Sequence, residues 1–173
     1  EARVDGIKVR TSSFTRHHVN ITMCKAKANG NYINSMLALR EALDSGCEEA
    51  MLLDNEGYVA EGSGENIFLV QDGKLVTPEL TSCLEGITRD TVFSLAAELN
   101  LEIRERRITR DEVYIADEAF FTGTAAEVLP IRELDGRLIG AGGRGPITEK
   151  LQTMYFDQVM GRRSEHPEWS TLV

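Results

Sequence analysis

Three glycine-containing turns constrain this chain more than any other feature. Asn55-Glu56-Gly57, Asp72-Gly73 and Asp135-Gly136 each divide two short β-rich runs: residues 50–53 from 58–60, 67–70 from 75–76, and 128–134 from 137–139. Turns of this composition supply the left-handed backbone that joins neighbouring strands. Residues 4–13 and 119–122 read as further strands, and Leu101 and Ile103 alternate with charges as an exposed strand does.

Between these runs lie isolated helical patterns. Ile33, Met36, Leu37, Leu39 and Leu43 recur at helical spacing before Gly46. Residues 86–100 place Val92, Phe93, Leu95, Ala96 and Leu99 on one side, and Thr109-Arg110-Asp111-Glu112 has the form of a capping box. Pro146 opens a last helix with Ile147, Leu151, Met154, Tyr155 and Val159 facing inward; beyond Gly161 a polar tail with Trp169 reads as loosely held. Hairpins and helices alternate without a regular βαβ rhythm. The expectation is a single α+β domain over residues 1–173, with a mixed or mostly antiparallel sheet and packed helices.

Composition excludes several classes of partner. A formal net charge of −9 repels phosphate backbones, so nucleic acid is not an expected partner. No apolar run is long enough to cross a bilayer, so no membrane role is expected. Cys24, Cys47 and Cys83 are odd in number and lack metal-type spacing, and the three histidines share no ligand spacing, so neither a disulfide framework nor a metal site is expected. Reduced thiols fit a cytoplasmic protein. The chain begins at Glu1, straight into strand-like sequence, which suggests a fragment of something longer.

Gly140-Ala141-Gly142-Gly143-Arg144-Gly145 matches G-x-G-x-x-G literally, but no further strand and acidic residue follow as a dinucleotide site requires. A flexible connection ending at Pro146 is the better reading. No G-K-[ST] occurs, which excludes a P-loop.

Three other segments carry more chemistry. In Ala26-Lys27-Ala28-Asn29-Gly30-Asn31-Tyr32, small neighbours would let a bulky ring approach the lysine, whose desolvated amine would be nucleophilic near neutral pH. An ordinary solvated lysine is the plainer alternative, and Lys25 has an equal claim on composition. Glu61-Gly62-Ser63-Gly64-Glu65-Asn66 is either a hairpin loop facing water or a loop that lets a ligand approach the backbone, with a carboxylate to keep a heterocyclic nitrogen protonated. Gly86-Ile87-Thr88 opens a helix, where free N–H groups favour a phosphate, and Gly123-Thr124-Ala125 offers a second set of donors. Each is weak by itself, since an ordinary cap is common.

Taken in order, AKANGNY, GYVAEGSGENIF, ELTSCLEGITRD and ADEAFFTGTAAEVLPI resemble the fold-type IV pyridoxal 5′-phosphate aminotransferases, and among them the branched-chain amino-acid aminotransferases, from about Ile7 to Thr148. The resemblance implies the larger, C-terminal domain of the D-amino-acid-aminotransferase-like fold, with the smaller N-terminal domain absent from residues 1–173. It implies that Lys27 holds the cofactor covalently and later moves the substrate proton. Tyr32 would hydrogen-bond the cofactor's phenolic oxygen, Glu61 would pair with the pyridine nitrogen, and Leu84 would lie against the ring. Gly86, Ile87, Thr88 and Thr124 would cradle the phosphate. The amides of Thr124 and Ala125 would take the substrate's α-carboxylate, and Glu65 would be a second acid near the lysine.

The implied reaction is transamination of leucine, isoleucine and valine with 2-oxoglutarate, by a homodimer or larger homo-oligomer when full length. Its partners would be small amino acids and 2-oxo acids. The absent domain would contribute a phosphate-binding arginine and most side-chain specificity, so the fragment alone is expected to be inactive or weakly active. Rivals within the fold are D-amino-acid aminotransferase and aminodeoxychorismate lyase. A non-catalytic binding module is a rival of another class, disfavoured because Lys27, Glu61 and Tyr32 are all present.

Overall fold

The computed structural model describes residues 1–169. Its strands form one mixed sheet. β1 (Ile7–Thr11) runs parallel to both of its neighbours, β2 (Glu49–Leu53) and β8 (Glu127–Leu134). β3 (Val59–Gly62) flanks β2 antiparallel. On the other side β8 pairs antiparallel with β7 (Glu118–Gly123), β7 with β4 (Asn66–Gln71), and β4 with β5 (Lys74–Thr77). β6 (Ile103–Glu105) lies parallel along β5, and β9 (Arg137–Leu138) folds back on β8. The register slips between Ile7 and Lys8 and between Leu52 and Leu53, irregularities that bend and twist the sheet locally.

The turns do what their composition asks. Asp72 and Gly73 have φ of 50° and 72°, Asp135 and Gly136 51° and 78°, and Gly57 90°, all in the left-handed region that lets a tight hairpin follow the strand twist. The sheet carries a core on each face, which is why its central strands read as continuous apolar runs. Phe68, Val70, Leu75 and Phe120 meet α3 (Ile87–Glu98) through Val92, Leu95 and Ala96, and α5 (Pro146–Val159) through Leu151. Ile67, Leu69, Met51 and Phe121 point the other way, with Ile108 and with Val113 of α4 (Arg110–Tyr114). Adjacent Phe120 and Phe121 thus serve opposite cores, as a period of two requires. The capping box opens α4: Glu112 Oε2 accepts the Thr109 N–H at 2.9 Å.

Four expectations need correction. Residues 2–5 are a helical turn, α1 (Ala2–Asp5), and the first strand starts only after Gly6 at φ 74°. α2 (Tyr32–Asp44) docks through Ser35, Ala38 and Ala42, with the two alanines against Ala50 and Leu52, while Ile33 and Met36 are 64% and 68% exposed and Leu37 and Leu43 are exposed too. Small side chains let the helix axis approach the strand closely, and the larger apolar ones are left outside. Val159, expected to face inward, is 57% exposed. The tail is tied down as far as it is described: Arg163 and His166 both reach Glu98 of α3, and the His166 ring stacks on Trp169 at 3.8 Å. Residues 170–173 lie outside the described residues.

The glycine-rich run is a connection. Gly145 stands where a Cβ would meet the Glu118 carboxyl carbon at 2.1 Å, and that carboxylate accepts the N–H groups of Ile147 and Thr148 at 2.9 and 2.7 Å. The α5 N-terminus is therefore filled by the protein's own anion, which leaves no place for a dinucleotide phosphate.

Candidate active site

Three segments meet around one cleft. The end of β3 and the turn after it bring Glu61 to Glu65, the 124–126 turn between β7 and β8 brings Thr124, and the approach to α3 with its first residues brings Leu84 to Thr88. Over them lies the excursion between β1 and α2, which carries Arg16, Lys25 and Lys27. Together they enclose a cleft of about 440 Å³.

Lys27, Tyr32, Glu61, Glu65, Leu84, Gly86, Ile87, Thr88 and Thr124 all line this cleft, although they are spread over nearly 100 residues of chain. Ala125 does not line it; it follows Thr124 in the same turn and is exposed.

The two lysines separate by what their amines hold. Lys25 Nζ donates to the Leu80 and Cys83 carbonyl oxygens, the second at 3.0 Å, so it ties the 80–83 loop to its own segment. Lys27 Nζ has a single partner, the Tyr32 hydroxyl at 2.9 Å, and faces the cleft. Asn31 steadies the Lys27 loop by donating to the Met23 and Ala26 carbonyls at 3.0 and 3.1 Å. Composition alone leaves the lysines equal; the hydrogen bonds distinguish them.

Glu61 is 6% exposed and engaged at both oxygens. Oε1 lies 2.6 Å from Arg16 Nε, and Oε2 accepts the Leu84 N–H at 3.0 Å. Burial pushes its carboxyl above the ordinary range, while Arg16 and the Leu84 N–H pull the other way. Arg16 is itself 4% exposed. Its Nη1 lies 2.8 Å from His17 Nδ1, and burial followed by the Arg16 charge holds the His17 imidazole below its ordinary value. A neutral His17 accepts from Arg16 at Nδ1, which keeps the guanidinium aimed at Glu61. Sequence reasoning missed Arg16, because an arginine in a polar stretch carries no local mark of burial.

The end of the cleft at α3 suits an anion. The N-cap residue of α3, Gly86, makes no side-chain cap hydrogen bond, so the first N–H groups of the helix lack a protein acceptor of that kind. Thr122 Oγ1 is buried, lines the same cleft, and has no hydrogen-bond partner. A buried orphan hydroxyl beside an uncapped helix start is the donor set a phosphate group would satisfy. Asn66, also missed, shapes this end: its Nδ2 donates to the Leu84 carbonyl at 2.8 Å, and a Cβ on Gly86 would sit 2.2 Å from its Oδ1.

In outline, the cleft brings together the Lys27 amine on Tyr32, the Glu61 carboxylate paired with Arg16, and an uncapped helix start with an orphan hydroxyl. No group of metal-ligating side chains occurs among the described residues. Residues 1–134 match the model of the class IV amino-transferases. The chain belongs to the class IV aminotransferase family.

Its relatives agree. The chain is 70% identical over 173 residues to the branched-chain-amino-acid aminotransferase of Pseudomonas aeruginosa, covering all of this chain and 56% of that protein. It superposes with a TM-score of 0.96, at 50% identity, on the branched-chain amino acid aminotransferase of T.th. complexed with N-(5′-phosphopyridoxyl)-L-glutamate, covering 98% of this chain and 57% of the other. The same enzyme complexed with 4-methylvaleric acid superposes with a TM-score of 0.96, at 50% identity, over 97% of this chain and 57% of that one. The expected α+β fold is the fold of these class IV enzymes. The chain spans about half the length of the curated relatives it matches.

Proposed function

We propose that this chain is the larger, cofactor-binding domain of a branched-chain amino-acid aminotransferase, and that the whole protein transfers the amino group of leucine, isoleucine or valine to 2-oxoglutarate. The observation that carries the reading is the division of labour between Lys25, committed to two carbonyls, and Lys27, held only by Tyr32 in a cleft with Glu61 and an uncapped helix start.

Pyridoxal 5′-phosphate, when bound, supplies an aldehyde for the lysine and an electron sink for the carbanion that forms at the substrate Cα. Lys27 is the residue whose amine would hold it. Freed by the incoming amino acid, that amine would take the α-proton and would return it to the carbon on the other side of the transferred nitrogen. Tyr32 orients Nζ for both roles and would hydrogen-bond the phenolic oxygen. Glu61, backed by Arg16, would pair with the ring nitrogen, and Leu84 would pack on the ring. Gly86, Ile87, Thr88 and Thr124 would receive the phosphate, and the Thr124 and Ala125 amides the substrate carboxylate.

The names of the relatives favour this reading over D-amino-acid aminotransferase and aminodeoxychorismate lyase, and the assembled cleft favours it over a binding module. The exposed Ile33, Met36 and Leu37 on α2, next to the cleft, support a homodimer or larger homo-oligomer of the full-length protein. The three cysteines, all free thiols in the structure, support a cytoplasmic site. No helix among the described residues is long and apolar enough to cross a membrane.

Adding pyridoxal 5′-phosphate, reducing with borohydride and mapping the adduct by peptide mass tests the cofactor assignment. A label on Lys27 is expected; a label on Lys25, or none, would sink it. A panel of leucine, isoleucine and valine against D-alanine on the full-length protein tests the substrates.

A further inference from the structure

Glu61 has a cation beside it, and its neighbour Glu65 does not. Glu65 is held in place by the glycines around it. Gly62 N–H donates to its carbonyl at 2.7 Å and Gly64 N–H to its Oε2 at 3.0 Å. A Cβ on Gly62 would lie 2.8 Å from Oε2, and one on Gly123 would lie 3.4 Å from Cγ. The side chain is thereby pinned beside the turn that presents Thr124, and its carboxyl forms part of the cleft wall.

Behind it stands Glu49 of β2, 8% exposed, and the two carboxylates take consecutive amides: Ser63 N–H donates to Glu49 Oε1 and Gly64 N–H to Glu65 Oε2. Glu49 Oε1 already accepts the Ala50 and Ser63 N–H groups, at 2.7 and 3.2 Å. Two N–H donors hold Glu49 against the one, from Gly64, on Glu65, and Glu65 is the carboxyl that burial and its neighbour's charge push up. Among the described residues neither takes part in a salt bridge, whereas Glu61 has Arg16. The other charges nearby do not help: Glu61 adds a third carboxyl from β3, Lys25 is committed to carbonyls, and Lys27 is turned to Tyr32. Gly123, which ends β7 against the Glu65 side chain, and the Thr-Ala-Ala turn that follows it bring no charge.

Two carboxyls in contact without a cation share a proton. We propose that Glu49 and Glu65 hold one proton between them at neutral pH, and that this proton keeps the cleft wall beside the Thr124–Ala125 turn uncharged so that a substrate carboxylate can settle there. Glu65 is the wall residue; Glu49 acts through it as a positioning residue. Burial, and then the Glu49 charge, push the Glu65 carboxyl up to about 7, so the device works across the neutral range. The inference rests on the turn being the carboxylate site proposed above.

The test uses the full-length protein loaded with pyridoxal 5′-phosphate and 4-methylvaleric acid as the probe, its binding followed by the cofactor's absorbance from about pH 5.5 to about pH 8.5. Native protein should lose at least about fivefold in affinity with a midpoint near neutrality, the effect of one like charge at ~4 Å even in a water-like medium. Glu65→Gln, which cannot ionise, should lose that component while keeping whatever Lys27 itself contributes. Glu49→Gln should keep the fall but move it to lower pH.

A Glu65→Gln profile with the native midpoint and amplitude would overturn the proposal, as would an unmoved midpoint in Glu49→Gln. If the probe fails to bind native protein at any pH, the reading of the turn fails and takes this inference with it. Failure in the pair alone shows as intact binding with unchanged profiles. Should either variant not load cofactor, infrared difference spectra of the cofactor-free native protein decide. A protonated carboxyl band present at the acid end and lost at the alkaline end is expected, and its absence throughout refutes the shared proton.

Discussion

Replacing Arg16 by methionine isolates the cost of leaving Glu61 alone. The pair is buried on both sides, with 4% and 8% of the two side chains exposed and 2.6 Å between Nε and Oε1. Removing one member of a buried pair strands the other, at about 3–5 kcal/mol, far more than the ~0–1 kcal/mol of an exposed pair. The Leu84 N–H remains on Oε2 and recovers part of that, so the lower end of the range is expected. The loss should depend on pH. Burial already raises the Glu61 carboxyl in the presence of Arg16, and without it the folded-state value rises further. A group raised on folding contributes stability below its unfolded value and loses it as pH climbs through the folded one. Arg16→Met should therefore be mildest near pH 4 and most harmful at neutral pH and above. Urea unfolding of the cofactor-free protein at several pH values measures this, and the double variant Arg16→Met/Glu61→Gln should regain most of the loss because no charge is left buried. A loss below about 1 kcal/mol at neutral pH, or a double variant no better than Arg16→Met, would refute the reasoning.

Lys25→Met removes two charge-assisted hydrogen bonds to the 80–83 loop, worth ~1–2 kcal/mol in loop order. Cofactor affinity should fall up to about tenfold with the borohydride adduct still on Lys27; loss of the adduct at saturating cofactor would contradict a purely positioning role. Glu65, pushed up from 4.5 to about 7, should lower stability as pH rises through that interval, by at most about 3 kcal/mol. Glu65→Gln should flatten that part of the pH–stability curve.

What the sequence made legible follows from how far each signal reaches. The turns at Asp72-Gly73 and Asp135-Gly136 are local, because a left-handed pair of residues needs its own side chains and little else. The core of α3 was legible too, since Val92, Leu95 and Ala96 recur with the helix period. α2 misled for a physical reason. Its contact face is made of Ser35, Ala38 and Ala42, and hydrophobicity weights side chains by size while close approach selects small ones. In the cleft, residues grouped in motifs were found. Arg16 and Glu49 were not, because each acts through a partner 45 or 16 residues away and nothing in its own neighbourhood marks it; Asn66 stands inside a quoted motif, but its role depends on Leu84, 18 residues on.

Two glycines of the quoted motifs show how far a motif letter can be taken. Gly30 lies in AKANGNY, and a Cβ there meets nothing within 4 Å. Gly86 opens α3 with φ −80°, a conformation any residue adopts, so its backbone does not require glycine. Its surroundings do: a Cβ would stand 2.2 Å from Asn66 Oδ1, and Asn66 cannot retreat without giving up the Leu84 carbonyl that its Nδ2 holds at 2.8 Å. Leu84 in turn donates its N–H to Glu61. One methyl group at Gly86 therefore disturbs the anion end and the carboxylate end of the cleft together. Gly86→Ala should weaken pyridoxal 5′-phosphate binding at least about tenfold, the equivalent of a lost charge-assisted hydrogen bond. Gly30→Ala should leave binding within about twofold. Equal effects of the two substitutions in a fluorescence titration would mean that Asn66 moves aside freely, and that the chain of contacts from Gly86 to Glu61 does not transmit the strain.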